Sequence, residues 1–132
     1  MRLSEVRRIL DCRVLVGEDQ LETEVLVGCG ADLMSDVLAF IKPQALLLTG
    51  LTNVQSVRTA DVAETRAIVY VRGKLPDEET VKLAREKEIV LLSTELPMFE
   101  SCGKLYAHGL PGGGALKDDL RDARRCTVSP AL

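Results

Sequence analysis

Three short apolar stretches decide the fold: ALLL at residues 45–48, AIVYV at 67–71 and IVLL at 89–92. Each is uniformly apolar, which is typical of a strand buried on both faces of a parallel sheet. The segments between them have helical patterning, because Asn53 is placed to cap one helix and Pro76 with the acids after it opens another. Strands that alternate with helices in this way predict crossover connections and a parallel sheet covered by helices.

The same alternation extends outward from these three strands. It predicts a helix at 3–10 with Ser4 as its N-cap, strand runs at 12–16 and 23–27, a helix from Asp32 to Ile41 stopped by Pro43, and a last helix from Met98 to about Gly109. The two N-terminal runs could pair with each other, or one of them could be an edge strand. The predicted class is α/β, a three-layer α/β/α fold with a mainly parallel sheet. We expect one domain over residues 1–110, followed by a Gly-rich break and a tail at 111–132.

Composition narrows the function classes. The chain has 132 residues, 46% of them hydrophobic and 28% charged, which is typical of one globular domain. No apolar run reaches the ~18 residues of a membrane span, and the N-terminus has no hydrophobic block, so we expect a cytoplasmic protein without a membrane anchor. A net charge of −3, no Trp, two Tyr and two Phe disfavour nucleic-acid binding.

The cysteines and the single histidine offer little chemistry. Cys12, Cys29, Cys102 and Cys126 form no CxxC pair, so we expect no metal site and four idle thiols in a reducing compartment. An alternative is a reactive Cys29, since a thiol at a helix N-terminus has a lowered pKa. His108 follows the last predicted helix and is interpreted as a solvated residue near its C-terminus.

Ligands of open parallel sheets lie at the carboxyl ends of the strands, where loop amides and helix N-termini converge. The loops that end the predicted strands supply the candidate ligand-binding residues Gly28, Gly30, Thr49, Gly50, Thr52, Asn53, Arg72, Gly73, Ser93 and Thr94. Arg72 and Lys74 add positive charge for a phosphate or carboxylate. The same residue types are also what turns and helix caps need, so a purely structural interpretation competes with the functional one.

Known nucleotide and catalytic motifs are incomplete here. Gly28-Cys29-Gly30 starts like a dinucleotide-binding fingerprint, but Leu33 stands where the third glycine belongs, and no P-loop sequence occurs. Asp32 and Asp36 share a helix face, yet a cap and a solvated residue explain them as well as a catalytic pair. An enzyme built on Asp32, Asp36 or His108 is therefore the least favoured hypothesis.

From Gly28 to Leu110 the sequence resembles the DRTGG domain family, similar to the N-terminal domain of HPr kinase/phosphorylase and the middle domain of some phosphotransacetylases. The resemblance is carried by ADLMSDVLA at 31–39, LTGLTN at 48–53, AIVYVRGK at 67–74, and Ser93-Thr94 with Met98-Phe99-Glu100. The chain has Arg58-Thr59-Ala60-Asp61 where the Asp-Arg pair of the family is expected, and Val71-Arg72-Gly73 in place of Thr-Gly-Gly.

The resemblance implies a three-layer α/β/α fold and an accessory, regulatory role beside catalytic or CBS domains, in some cases near adenine-nucleotide sensing. It does not imply kinase activity. The leading hypothesis is a non-catalytic, homodimeric regulatory module without a cofactor that binds a small anion or adenine nucleotide at the strand ends. The alternative is a protein-interaction or thiol-linked accessory subunit of a metabolic or redox complex.

Overall fold

The computed structural model describes residues 1–113. Most of the predicted tail, residues 114–132 with Cys126, lies outside the described residues. The elements are α1 (Leu3–Leu10), β1 (Arg13–Val16), a short 3-10 turn (Glu18–Gln20), β2 (Val27–Gly30), α2 (Met34–Phe40), β3 (Ala45–Thr49), α3 (Val54–Val62), β4 (Ala67–Tyr70), α4 (Glu78–Lys87), β5 (Val90–Ser93) and α5 (Met98–Ala107). The sheet order is β1-β5-β4-β3-β2, with β1 antiparallel to β5 and the other neighbours parallel.

Helices cover both faces of this sheet and give the predicted three layers. On one face α1 and α5 pack over side chains such as Leu46 and Leu48. On the other face α2, α3 and α4 pack over Leu47 and Ile68. Because successive side chains of a strand point to opposite faces, each strand contributes to both cores, and this explains why the central strands are apolar at every position. The predicted α/β class and three-layer architecture are confirmed.

Of the two alternatives predicted for the N-terminal runs, the edge strand is correct, since β1 forms one edge of the sheet. The two runs at 12–16 and 23–27 do not pair with each other; instead β1 and β2 form opposite edges of the sheet. Residues 23–26 are not a strand apart from a single bridge between Arg2 and Glu24. Their backbone holds the start of α1, since the amide of Leu3 donates to the Thr23 carbonyl at 3.0 Å.

This contact also explains the error at the first helix cap. Ser4 is not the N-cap, because α1 already begins at Leu3, and the Ser4 amide donates to the Leu21 carbonyl at 2.8 Å. Carbonyl groups of a distant segment therefore accept hydrogen bonds from the first amides of α1, as a capping side chain does in other helices. The predicted cap at Asn53 is confirmed, since its Oδ1 accepts from the Gln55 amide at 3.1 Å. The helix predicted to open at Pro76 and the acids after it has Asp77 as its N-cap.

The chain after α5 turns back along the edge of the sheet. Gly109 has the left-handed backbone that ends a helix, with φ of 101°. Leu110 is buried, and the Gly28 amide of β2 donates to the Pro111 carbonyl at 2.8 Å. Gly112 then forms a parallel bridge with Gly28, so this segment covers part of the β2 edge. In residues 1–113 no helix is both long and apolar enough to cross a membrane.

Candidate functional site

The parallel pairing brings the predicted loops to one edge of the sheet. Gly30 is in register with Leu48, and Thr49 is in register with Tyr70, which in turn aligns with Ser93. The residues that follow β3, β4 and β5 therefore leave the sheet side by side. This edge is the crevice position at which open parallel sheets bind ligands.

A carboxylate holds the end of β3. Asp32 Oδ1 accepts a hydrogen bond from the Gly50 amide at 2.7 Å and a second from the Thr49 hydroxyl at 3.1 Å. Thr49 Oγ1 in turn accepts from the Leu51 amide at 3.1 Å. Asp32 is therefore not the cap of α2, whose N-cap residue is Leu33. It ties the loop between β2 and α2 to the carboxyl end of β3.

Sequence reasoning missed this role of Asp32. The signal available was its position two residues after a strand, which places it among the strand-end loops and not on a helix surface. Asp36, the other member of the predicted carboxylate pair, is exposed in the first turn of α2. Asp32 therefore fixes a loop to β3, whereas Asp36 is a solvent-exposed residue of α2.

Arg72 lies against the same loop. Its backbone is left-handed, with φ of 61°, and Nη2 lies 2.8 Å from the point that a Cβ on Gly50 would occupy. Asp32 Oδ1 lies 3.6 Å from that point, so a cationic and an anionic group both approach Gly50 closely. A side chain at this position would displace the Arg72 guanidinium from its place over the loop.

The loop after β4 is fixed by the loop after β5. The Arg72 amide donates to the Leu96 carbonyl at 2.9 Å, and the Gly73 amide donates to the Thr94 carbonyl at 2.8 Å. Gly73 has φ of 67°, and a Cβ there would lie 2.5 Å from Glu95 Oε2. At this edge the side chains of Arg72 and Asp32 therefore approach the buried Gly50, and the side chain of Glu95 approaches the half-buried Gly73.

Several of the other candidate residues bond within the fold. The Thr94 hydroxyl is buried and donates to the Leu10 carbonyl at 2.7 Å, and the Ser93 hydroxyl donates to the Lys74 carbonyl at 3.3 Å. Asn53 caps α3, and Thr52 is half-buried beside it. These contacts position the loops around Gly50 and Arg72.

Gly28 and Gly30 face α5 and the segment after it. A Cβ on Gly28 would come within 3.2 Å of Leu110, and one on Gly30 within 2.8 Å of Cys102 Sγ. The absence of a side chain at both positions lets α5 and the following turn pack closely on β2. The two glycines border a small cavity of about 180 Å³ beside α5, away from Gly50.

Within residues 1–113, the three thiols and the histidine do not form a reactive centre. Cys29 lies inside β2 and not at a helix N-terminus; burial raises its pKa, and the nearby Cys102 raises it further. Burial also raises the pKa of Cys102, and raises that of Cys12 to about 12. The predicted lowering of the Cys29 pKa is therefore wrong. His108 is exposed at the end of α5, as predicted, with Nδ1 2.7 Å from the Lys104 carbonyl oxygen.

A buried hydrogen bond joins the end of β4 to α3. Tyr70, the last residue of β4, has its hydroxyl 2.7 Å from the Ser56 hydroxyl of α3. Burial raises the pKa of Tyr70 to about 12, although the bond to Ser56 opposes this shift. Among residues 1–113, no three His, Cys, Asp or Glu side chains are grouped so that they could hold a metal ion.

Taken together, the layers and the polar strand-end edge define a three-layer α/β domain. The chain belongs to the DRTGG domain family, whose family model matches residues 5–106. DRTGG domains act as regulatory modules, which confirms the predicted class of function. A comparison with curated proteins found no match.

Among solved structures, the chain is similar to the CBS and DRTGG domains of the regulatory region of Clostridium perfringens pyrophosphatase, complexed with its activator diadenosine tetraphosphate. The TM-score is 0.67 at 14% sequence identity, and the match covers 99% of this chain. The chain spans 61% of the length of that neighbour. At this identity the likeness establishes the shared fold.

Proposed function

We propose that this domain is a ligand-sensing regulatory module that binds an adenine nucleotide, or a smaller anion, at the carboxyl ends of β3 and β4. The observation that carries the proposal is the approach of Arg72 and Asp32 to Gly50. Arg72 forms no ion pair within the described residues, so its guanidinium is available to an anionic group. Arginine is well suited to phosphate because it offers paired donors in a fixed plane.

Asp32 narrows the class of ligand. The groups that would otherwise hold a phosphate oxygen, the Gly50 amide and the Thr49 hydroxyl, already donate to Asp32 Oδ1. The phosphate of the ligand is therefore assigned to Arg72. The exposed Lys74, two residues further along the chain, adds a second positive charge. The other carboxylate oxygen of Asp32 is an acceptor for a ribose hydroxyl or an amino group. A nucleotide carries its hydroxyl and amino donors at a distance from its phosphate and can reach Asp32 and Arg72 together, whereas inorganic phosphate carries its hydroxyl donors on the same small ion.

We also propose that the module has no catalytic activity of its own and works as a cytoplasmic homodimer. Two exposed aromatic side chains of α5 support self-association: Phe99 is 84% exposed and Tyr106 71%, and their spacing of seven residues places them on one side of the helix. Apolar surface of this kind is typical of contact sites. The same surface also fits the alternative, an accessory subunit that binds another protein. Native mass spectrometry of the full chain distinguishes the homodimer from the accessory subunit, because a chain that stays monomeric at every concentration is not a homodimer.

The test of the ligand site is calorimetric titration of the full chain with ATP, ADP, AMP, diadenosine tetraphosphate and inorganic phosphate. Arg72→Ala is expected to weaken nucleotide binding by about 10- to 100-fold, the effect of losing one or two charge-assisted hydrogen bonds. Arg58→Ala is the matched control, since Arg58 is an exposed arginine of α3 whose side chain donates a hydrogen bond to Gln55 and forms no ion pair within the described residues. Equal affinities of the two variants, or no binding of any nucleotide by the native chain, refute the proposal.

A further inference from the structure

The last helix has an apolar side that the described part of the chain leaves uncovered. Phe99 and Tyr106 are 84% and 71% exposed, and they lie seven residues apart on one side of α5. Gly103 lies between them and is exposed as well. The other side of the helix, with Ser101 and Leu105, is buried against the domain. We call the exposed side with Phe99, Gly103 and Tyr106 the α5 face.

The glycine of the α5 face is an unusual residue for the middle of a helix. Glycine loses more backbone entropy than any other residue and is a poor helix former. The domain itself does not require it, because nothing in the described residues lies within 4 Å of the point that a Cβ on Gly103 would occupy. A glycine on an exposed helix surface does allow a second backbone to approach closely. Its place between two aromatic side chains therefore indicates a partner helix.

The charges beside the α5 face are available to that partner. Glu100 lies in the first turn of α5 and Lys104 in the last, and both are exposed. They are four residues apart, which is the spacing at which an acid and a base can pair within one helix. Neither forms an ion pair within the described residues. The helix therefore presents one free charge of each sign.

A second copy of α5, packed antiparallel, complements all of these features together. The helix turns by about 100° per residue, so Phe99 and Tyr106 lie on one flank of Gly103, and Glu100 and Lys104 on the other. A two-fold axis beside Gly103 places Phe99 of one copy near Tyr106 of the other, and Glu100 near Lys104. A parallel pair instead turns the aromatic flank of one copy toward the charged flank of the other. The antiparallel pair also sets the N-terminus of each helix beside the C-terminus of its partner, as the helix dipoles favour.

We infer that the α5 face binds a second copy of this chain in an antiparallel helix pair centred on Gly103. The inference rests on the homodimer of the proposed function and names its interface. An aromatic side chain buries roughly 150–250 Å², so at these exposures the four of a pair offer roughly 500–800 Å². The flanking residues bring the area to the order of 1,000 Å² that a specific interface needs. Such a dimer is weak and depends on protein concentration.

The test is sedimentation velocity of the full chain over a wide range of concentrations, which gives the Kd of the dimer. Phe99→Ala is expected to raise this Kd about 30-fold or more, because it removes a central side chain from both copies. Gly103→Ala is expected to raise it as well, although alanine favours the helix of the single copy. Phe40→Ala is the matched control, since Phe40 is 72% exposed on α2 and is expected to leave the Kd unchanged.

Charge reversals test whether the partner is a second copy. Glu100→Lys and Lys104→Glu are each expected to raise the Kd about 3- to 10-fold, since each variant places like charges together across its own pair. An equimolar mixture of the two variants is expected to form a mixed dimer about as tight as the native one, because opposite charges then face each other again. A surface meant for a different protein does not show this rescue.

The outcomes separate this interface from the homodimer itself. A native chain that stays monomeric at every concentration overturns both. A dimer that withstands Phe99→Ala, with a mixture of the charge variants no tighter than either variant alone, overturns the α5 interface and leaves the homodimer in place.

Discussion

Replacement of Asp32 by alanine tests the central contact of the strand-end site. The change removes the acceptor of two hydrogen bonds, from the Gly50 amide at 2.7 Å and from the Thr49 hydroxyl at 3.1 Å. Gly50 and Thr49 are buried, so both donors are left short of a partner unless water reaches them. The expected result is a clear loss of stability.

The magnitude follows from the kind of bond. A hydrogen bond to a charged group contributes about 1.5–3 kcal/mol, and an unsatisfied buried donor costs about 1–3 kcal/mol. Asp32 is itself exposed, so water replaces part of the contact, and we expect a decrease of roughly 1–2 kcal/mol in the free energy of unfolding. For a domain of this size that decrease corresponds to a fall of roughly 4–10 °C in Tm.

The assay is urea unfolding followed by circular dichroism, with Asp36→Ala as the matched control. Asp36 lies four residues further on, in the first turn of α2; it is exposed and accepts no side-chain hydrogen bond within the described residues, so its replacement is expected to change stability by less than about 0.5 kcal/mol. If the two variants are equally stable, Asp32 does not hold the end of β3, and the reasoning behind the site is wrong.

Three further predictions concern other parts of the domain. Gly73→Ala is expected to destabilise the fold by about 1–2 kcal/mol, because its φ of 67° and the nearby Glu95 carboxylate both oppose a side chain. Gly103→Ala in α5, where nothing lies within 4 Å of a Cβ, is expected to stabilise the fold by about 0.5–1 kcal/mol. If urea unfolding shows that both glycine replacements change the stability in the same direction, this pair of predictions is wrong. Burial raises the pKa of Cys29, so its alkylation in the native protein near neutral pH is expected to be slower than that of glutathione, and an equal or faster rate refutes this. Hydrogen bonds from Thr80 lower the pKa of Asp77, so its stabilising effect is complete above the ordinary carboxyl range and is lost as the pH falls through the folded-state pKa. Asp77→Asn is expected to remove this part of the acid dependence in urea midpoints measured from about pH 2 to 6, and an unaltered profile rejects the assignment.

The central strands could be predicted because their pattern is local. Leu46 and Leu48 face one core and Leu47 the other, so a strand buried on both faces has to be apolar throughout. The caps at Asn53 and Asp77 are local in the same sense, since each side chain bonds an amide two or three residues away. Such features depend only on neighbours in sequence.

The features that sequence reasoning missed depend on distant partners. The run at 23–27 has strand composition, but the Thr23 carbonyl receives the Leu3 amide and so serves the start of α1. Asp32 bonds Thr49 and Gly50, which lie 17 and 18 residues further along the chain. The position of Asp32 two residues after a strand indicates a strand-end loop, but the partners it bonds there depend on how β2 and β3 pair in the fold.

The position of Asp32 also connects the proposed ligand site to the start of α2. The residue stands between β2 and α2, so the bond to Gly50 fixes where α2 begins relative to β3. In the proposed site an anion binds Arg72, and it gains the Gly50 amide as well only by competing with Asp32, because two acceptors cannot both take a single N–H at full strength. A ligand with a hydroxyl or amino group can instead bind the carboxylate and leave the Gly50 bond in place. Removing the carboxylate is therefore expected to narrow the difference in affinity between AMP and inorganic phosphate, since phosphate gains access to the Gly50 amide while AMP loses a partner.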